Sequence, residues 1–485
     1  MSNLTDLLPA GAGGKQVDFV ASGTLASGQT VVLKTDGTVE AVGTISIPEE
    51  TGSAVVFNGS SYWFGAAFDS NENKVVIVYS DQTNGSYGTA IVGTVSGTSI
   101  SFGTKAIFES ASSQYVAASF DTAANKVVIS YRDDPDSSQG KAVVATVSGT
   151  SISFGSPVTF SNTAATYISC VYDSSQDKTV IVYCDDQNSY QAKAVVGTVS
   201  GTSISFGSPV TFNAATTYDT RGVFDPSNNK VIIAYRDAAN SNYGTAIVGT
   251  VSGTSISFGS ESVFNAGNLF YISIVYDSIE NKIIISYTDF GNSAYGASIV
   301  GTVSGTSISF GSEIIFLSAA TQGTASSFDP NANKVVVFYR KDDANDYGYS
   351  TVGTVSGTSV SFATPSIFKS SVVSDIMFST FDSNENKVII VYQDQSNASS
   401  GTVNVFRNAS TATNSADFIG ISDAAISDTA SGSVTIKGGI STNVTGLTAN
   451  LTYYVQANGT LSTTTSSVLA GKALSSTSIN LDYTT

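Results

Sequence analysis

Three sets of side chains that could do chemistry return at a fixed interval along this chain. Trp63, Tyr115, Tyr167 and Tyr271 lie 52 residues or a multiple of it apart, with Tyr218 beside Asp219 in the intervening copy. Asp81, Asp133, Asp185, Asp237 and Asp289 form a second register, broken by Lys341 beside Asp342, and Tyr87, Tyr243, Tyr295 and Tyr347 form a third. Aromatic faces beside carboxylates suit sugar recognition: a ring covers the apolar face of a pyranose while acceptors take its hydroxyl protons. Each position also has a plainer reading, the rings as packing or rim residues of the repeats and each Asp as a side chain closing its own turn.

Other chemistries find little support. The chain has no histidine, which removes the commonest general base and metal ligand. Asp133-Asp134-Pro135-Asp136 and Asp342-Asp343 with Asp346 could hold a calcium ion, but they lack the twelve-residue loop spacing with its terminal Glu, so no cofactor is expected. Glycoside hydrolysis needs two carboxylates flanking a bond. No such pair stands out from the repeat background, and Arg132, Arg221, Arg236, Arg340 and Arg407 form no evident carboxylate clamp. Phosphate-binding glycine loops, Cys/His spacings and nucleophile elbows are missing as well. A binding protein is expected, not an enzyme, with a propeller glycoside hydrolase as the weaker alternative. Cys170 and Cys184 read as small buried hydrophobes, Cys170 facing about residue 181 across a hairpin.

The formal net charge of -17, from 21 basic and 38 acidic residues, disfavours nucleic acid and anionic membrane surfaces, both of which call for clustered Lys and Arg. No apolar run is long enough for a spanning helix, so no membrane insertion is expected. The opening residues show no basic segment followed by an apolar one, so no signal peptide is expected.

The elements that must position these side chains are repeats. Asp, three variable residues and Asn-Lys or Asp-Lys precede a β-branched run at Asp69, Asp121, Asp173, Asp225, Asp277, Asp329 and Asp382, in steps of 52 residues and a last step of 53. In the copy spanning 264–316, strands are expected at 271–276, 282–287, 297–303 and 307–316. Four strands in about 50 residues match one propeller blade, a sheet that is buried only by its neighbours. The Ser-Gly-Thr turn before the fourth strand occurs only six times, at Gly97, Gly149, Gly201, Gly253, Gly305 and Gly357. The missing strand is expected at the other end of the chain, from Thr44-Ile45-Ser46-Ile47 to Val55-Val56-Phe57, closing a seven-bladed β-propeller over 44–409.

The turns between strands one and two and between three and four are nearly invariant among copies, whereas the loops between two and three drift. The drifting face is therefore the expected recognition surface, and the repeated face carries both ends of the propeller.

Residues 1–43 and 410–485 resemble each other. Thr30 to Val39 matches Thr452 to Leu461 position by position, each a strand, an Asp-Gly or Asn-Gly turn and a strand. One small β module split by the inserted propeller is expected, with a flexible stretch at 8–14. Phe418-Ile419-Gly420-Ile421-Ser422, Gly446-Leu447-Thr448, Tyr453-Tyr454-Val455, Asn458-Gly459-Thr460-Leu461-Ser462 and Ala470-Gly471-Lys472-Ala473-Leu474-Ser475 resemble a β module of tailed-bacteriophage structural proteins. Val17-Asp18-Phe19-Val20-Ala21-Ser22-Gly23-Thr24 is similar to the start of such proteins. The resemblance implies a virion component, such as a tail fibre or another host-facing appendage, made in the host cytoplasm. It implies attachment to other virion proteins through the split module, a host-surface glycan or protein as the propeller's partner, and a homo-oligomer, commonly a trimer. A non-viral bacterial surface lectin or adhesin is the alternative.

Overall fold

The computed structural model describes residues 15–481; the 8–14 stretch expected to be flexible lies outside them, with 482–485. The chain is all-β and divides into two units: one takes the chain up to Pro48 and from Ala409 onward, the other is Glu49–Asn408.

In the larger unit every copy starts from the same turn. The Asp69 carboxylate accepts the amides of Asn71 (2.9 Å) and Glu72 (3.0 Å), and Asp121 those of Ala123 (3.0 Å) and Ala124 (2.9 Å). The residue that ends the turn is left-handed, as at Asn73 (φ 54°) and Asn125 (φ 52°), a conformation Asn tolerates well. The following strand is buried on both faces, as in Lys126–Asp133, so it reads as a continuous Val/Ile run without alternation. Its tyrosine (Tyr79, Tyr131, Tyr183, Tyr235, Tyr287, Tyr339, Tyr392) is almost fully enclosed in every copy. Each packs against a phenylalanine at 5.1–5.6 Å between ring centroids, from Phe57 against Tyr79 to Phe368 against Tyr392.

The outer strand differs from expectation. In the copy spanning 264–316 it does not run unbroken over 307–316: Ser307–Phe310 is a short hairpin strand, and after 311–313 a new strand, Ile314–Asp329, begins. The start of that strand pairs with Tyr295–Ser304, and its end pairs with Lys334–Lys341 of the next copy. One strand thus edges one copy and forms the inner strand of the next. The break has a steric cause, because a Cβ on Gly311 would lie 1.9 Å from the carbonyl oxygen of Thr358 in the next hairpin tip. Gly103, Gly155, Gly207 and Gly259 meet Thr150, Thr202, Thr254 and Thr306 in the same way.

The strand order runs through all seven copies and returns to its start, since Ser400–Arg407 pairs with Val55–Asp69 and Tyr87–Ser96 pairs with Ala106–Asp121. The segment that supplies the missing strand is Glu50–Thr51 followed by the first residues of Val55–Asp69. Thr44–Ile47 does not take part: it pairs with Ser410–Thr413 in the other unit, so the boundary falls after Pro48 and not before Thr44. Gly52 explains the register. Its amide donates to Val405 (2.8 Å) as Gly103 does to Val92 (2.9 Å), and a Cβ there would lie 1.8 Å from the Thr98 carbonyl oxygen. Gly52 is therefore the counterpart of Gly103, Gly155, Gly207, Gly259 and Gly311, and the strand expected from Thr44 starts further along the chain.

The smaller unit is two modules where the sequence suggested one. Gln16–Val20, Thr30–Leu33, Val39–Ala41, Phe418–Ser422 and Ser431–Ile436 form a five-stranded sheet in the order first, fifth, fourth, second, third. Ile440–Ser441, Thr452–Val455, Leu461–Ser462, Leu469–Ala473 and Ile479–Leu481 form another in the same order. Even the bulge repeats: Val31 faces Gly420 and Val32 faces Phe418, while Tyr453 faces Gly471 and Tyr454 faces Leu469. The two matching hairpins therefore lie in different sheets. The large unit is inserted between the third and fourth strands of the first copy.

Because each Asp turn satisfies two amides with one carboxylate, Asp121→Ala should cost about 1–3 kcal/mol. Asp121→Asn should retain most of that stability, as read from the urea unfolding midpoint. Equal losses for both variants would show that the charge, not the geometry of the turn, matters.

Candidate functional site

The inner strand of each copy carries a β-bulge near the end that leads to the drifting loops. In the second copy Gln114 pairs with Arg132 and Ala117 with Ser130, leaving one extra residue. The bulge residue is left-handed in six copies: Trp63, Tyr115, Tyr167, Asp219, Tyr271 and Gly323, with φ from 49° to 58°. In the seventh copy Val373 pairs with Asp394 and Met377 with Tyr392, so the residue that makes the last step 53 enters at this bulge, beside Asp375.

The inner strands of all seven copies line one cavity of about 690 Å³. Of the first predicted set, Trp63, Tyr115, Tyr167 and Tyr271 lie there, on the cavity wall and not on the outward loop face where they were expected, while Tyr218 stands beside the wall residue Asp219. Trp63 packs on Tyr62 (5.1 Å) and Tyr115 (4.1 Å), Tyr115 on Tyr167 (5.4 Å), and Tyr167 on Tyr218 (5.7 Å), which meets Tyr190 (5.1 Å). Burial raises the proton affinity of the Tyr62, Tyr115 and Tyr167 hydroxyls, and a hydrogen bond to Asp186 pushes that of Tyr190 up to about 12. All four are neutral donors near pH 7. Cys170 also lies on the wall, opposite Ile181 as its spacing predicted, with its thiol pushed up to about 11 by burial and held 3.2 Å from Ser119 Oγ.

The rest of the circle is polar. Arg236 Nε lies 3.2 Å from Asp219 Oδ2, and its guanidinium covers Tyr218 (4.7 Å) and Phe270 (4.0 Å). Burial raises the proton affinity of Asp219, opposed by Arg236 and Arg221. Tyr271 reaches past Gly323 to donate to Asp375 Oδ2 at 2.9 Å. A Cβ on Gly323 would lie 2.2 Å from the Asp375 carbonyl oxygen, so the glycine is what lets the fifth and seventh copies meet. The cavity rim is thus an arc of rings over the first four copies, closed by an acid–arginine pair and a tyrosine–acid clasp.

The second predicted set does not belong to this surface. Asp81, Asp133, Asp185, Asp237 and Asp289 are all buried. A strand ending in a tight turn leaves amide donors that a buried carboxylate must satisfy. Asp81 accepts the Thr83 amide (3.1 Å), Asp237 that of Asn240 (3.2 Å) and Asp289 that of Asn292 (3.2 Å). Lysines neutralise three: Lys105 on Asp81 (2.8 Å), Lys141 on Asp133 (2.7 Å) and Lys193 on Asp185 (2.5 Å). The acidic runs are occupied as well, Asp136 by Lys141 (2.7 Å), Asp134 by Arg132 (2.7 Å) and Asp343 by Lys341 (3.0 Å). Among the described residues no group of three or more His, Cys, Asp or Glu is placed to hold a metal ion.

Tyr87, Tyr243, Tyr295 and Tyr347 each open a third strand and are half-buried; Tyr87 stands across from Asp81, Tyr243 from Asp237 and Tyr295 from Asp289. They sit beside the drifting loops, outside the cavity. Sequence reasoning chose Tyr218 where Asp219 holds the bulge, although Asp219 keeps the step of 52 from Tyr167. It missed Asp375, Arg236 and Arg221. The signal for Asp375 was the single step of 53.

No protein-family model matches the chain, and no curated protein matches it. Solved structures do. The BP39L lectin of Burkholderia pseudomallei aligns with a TM-score of 0.52 and 12% identity over 71% of this chain and 94% of its own. A protein of unknown function from Dyadobacter fermentans aligns at 0.46 and 8%, over 76% and 99%, and AofleA of Arthrobotrys oligospora at 0.41 and 11%, over 80% and 94%. At these identities the likeness to BP39L is one of fold, and it agrees with an all-β, propeller-type array.

Trp63 is the one tryptophan of the chain, so its emission reports on the rim. Tyr115→Ala should shift that emission to the red by opening the indole to water, whereas Tyr347→Ala should leave it unchanged. A spectrum insensitive to Tyr115→Ala would show that the two rings are not stacked in solution.

Proposed function

We propose that this chain is a glycan-binding attachment protein whose ligand seats on the aromatic arc of the cavity rim. One observation carries the reading. A position that repeats seven times in the fold is filled by Trp63, Tyr115, Tyr167, Asp219, Tyr271, Gly323 and Asp375, so the scaffold is repetitive while the cavity is not. Rings that stay partly open to a cavity offer flat apolar faces to a pyranose, and the neutral phenols beside them offer donors to its ring and hydroxyl oxygens. The volume suits one or two sugar rings. Turnover has less support than binding: Asp219 is engaged by Arg236 and Asp375 by Tyr271, which leaves no free pair of carboxylates on the wall.

BP39L is a lectin, which agrees with this reading, though the likeness itself speaks to the fold. As the carrier we propose a tailed-phage particle. The terminal strings support it by resemblance, with the duplicated end module engaging other virion proteins and a host-surface glycan as receptor. A bacterial surface lectin is the second reading, favoured by the nature of that structural neighbour.

Glycan-array binding of the full chain, followed by calorimetric titration with each hit, tests the function. Trp63→Ala and Tyr115→Ala should each weaken binding about tenfold, the loss of roughly 1.4 kcal/mol of stacking. Tyr347→Ala should have no effect. Hits that survive both rim substitutions would move the site elsewhere, and an empty array would remove the function.

A further inference from the structure

We infer that the sugar held in the cavity carries a carboxylate, and that Arg221 receives it; this rests on the glycan-binding reading above. Arg221 lies two residues beyond the bulge on the inner strand of the fourth copy and lines the cavity. Strand pairing gives its counterparts as Gly65, Ala117, Ser169, Ser273, Ala325 and Phe378, none of them charged. One guanidinium in seven equivalent positions is not required by the repeat.

Its bonding leaves it available. Arg221 donates one hydrogen bond, from Nη1 to the Thr220 carbonyl at 2.9 Å, out of five donors on the group. Among the described residues no carboxylate lies within ion-pair distance of it, because the nearby Asp219 is taken by Arg236 at 3.2 Å. The other acid on the wall, Asp375, is bound by Tyr271 at 2.9 Å. Burial disfavours the charged form of Arg221, with Asp219, Tyr167 and Cys184 acting the other way. A half-buried guanidinium with spare donors pays a desolvation cost that an incoming carboxylate offsets, and the planar fork matches a carboxylate with two parallel hydrogen bonds. The chain's charge of -17 repels small anions at long range, so selection for an acid has to come from such a local contact.

The test compares each acid with its own neutral form on the intact chain. Glucuronic acid and N-acetylneuraminic acid are titrated beside their methyl esters, following Trp63 emission and calorimetric heat. The acids should bind at least tenfold more tightly than the esters. Arg221→Gln should erase that difference while leaving ester affinity in place, and Arg221→Lys should keep part of it; melting temperatures confirm that the variants are folded. Equal binding of acid and ester by the intact chain would overturn the role of Arg221 and leave glycan binding standing. If neither acid, ester nor neutral sugar binds, both readings fall together.

Discussion

The constraint on which the site depends is a backbone one. Five residues with bulky or branched-polar side chains, Trp63, Tyr115, Tyr167, Asp219 and Tyr271, are held in the left-handed region, where a non-glycine residue costs about 1–2 kcal/mol. An ordinary strand would turn alternate side chains to the two faces of its sheet, into the packing between copies. The bulge breaks that alternation at one residue and aims its side chain along the cavity wall. The neighbours stabilise it: the Thr220 hydroxyl donates to the Tyr167 carbonyl and the Thr324 hydroxyl to that of Tyr271, each across a copy boundary. At Tyr167 and Tyr271 a conformation costly in one strand is thus held by a hydroxyl of the next strand.

That support is possible because no copy is complete alone. The strand Ile314–Asp329 edges one sheet and opens the next, so each bulge is a short continuation of the strand that locks two copies together. The buried Tyr–Phe pairs lie along the same seam, and the glycine that receives the next hairpin tip sets its spacing. Closure follows the same rule, with Gly52 repeating the contact that Gly103 makes. The phenylalanine recurs at every seam, whereas Ala363 replaces the glycine at one and the long strand is interrupted between Ser262–Asn265 and Leu269–Asp277 at another.

Much of this was legible in the sequence because it repeats. The period, the Asp turns, the missing strand and the split ends follow from residue types that have one role each: an Asp followed by a left-handed Asn, a Gly before Thr, a β-branched run. The position of the rings was not legible. A 52-residue register places Trp63, Tyr115 and Tyr167 in equivalent sites but does not say which way they point, and an extra residue in a strand looks the same in sequence whether it bulges or extends a loop. The Asp81 register failed for the opposite reason. Lys141 and Lys193 each follow their Asp by eight residues and could have been paired with it, whereas Lys105 reaches Asp81 from before an outer strand, a partner that no spacing announces. The duplication of the end module was half visible, because its hairpins match in sequence while strand order alone reveals two sheets.

In a repeat protein, divergence among copies is itself ambiguous, and satisfaction of the diverged group separates scaffold from site. Position 105 shows drift that the scaffold absorbs. Lys105 binds Asp81, and its counterpart Glu313 faces Asp289 with the charge reversed, yet Asn265 donates to both acids (3.2 and 2.7 Å) and Tyr287 donates to Glu313 (2.5 Å). Each of these charges finds its partner inside the protein, so that change asks for no ligand. The bulge position and its neighbour two residues on behave differently. Their copies diverge toward an open cavity, the rings keep an exposed face, and Arg221 keeps donors that no described residue fills. Buried polar groups in proteins are satisfied as a rule. Arg221 is half-buried, and its spare donors open onto the same cavity as the rings, where a partner from outside the chain can reach them.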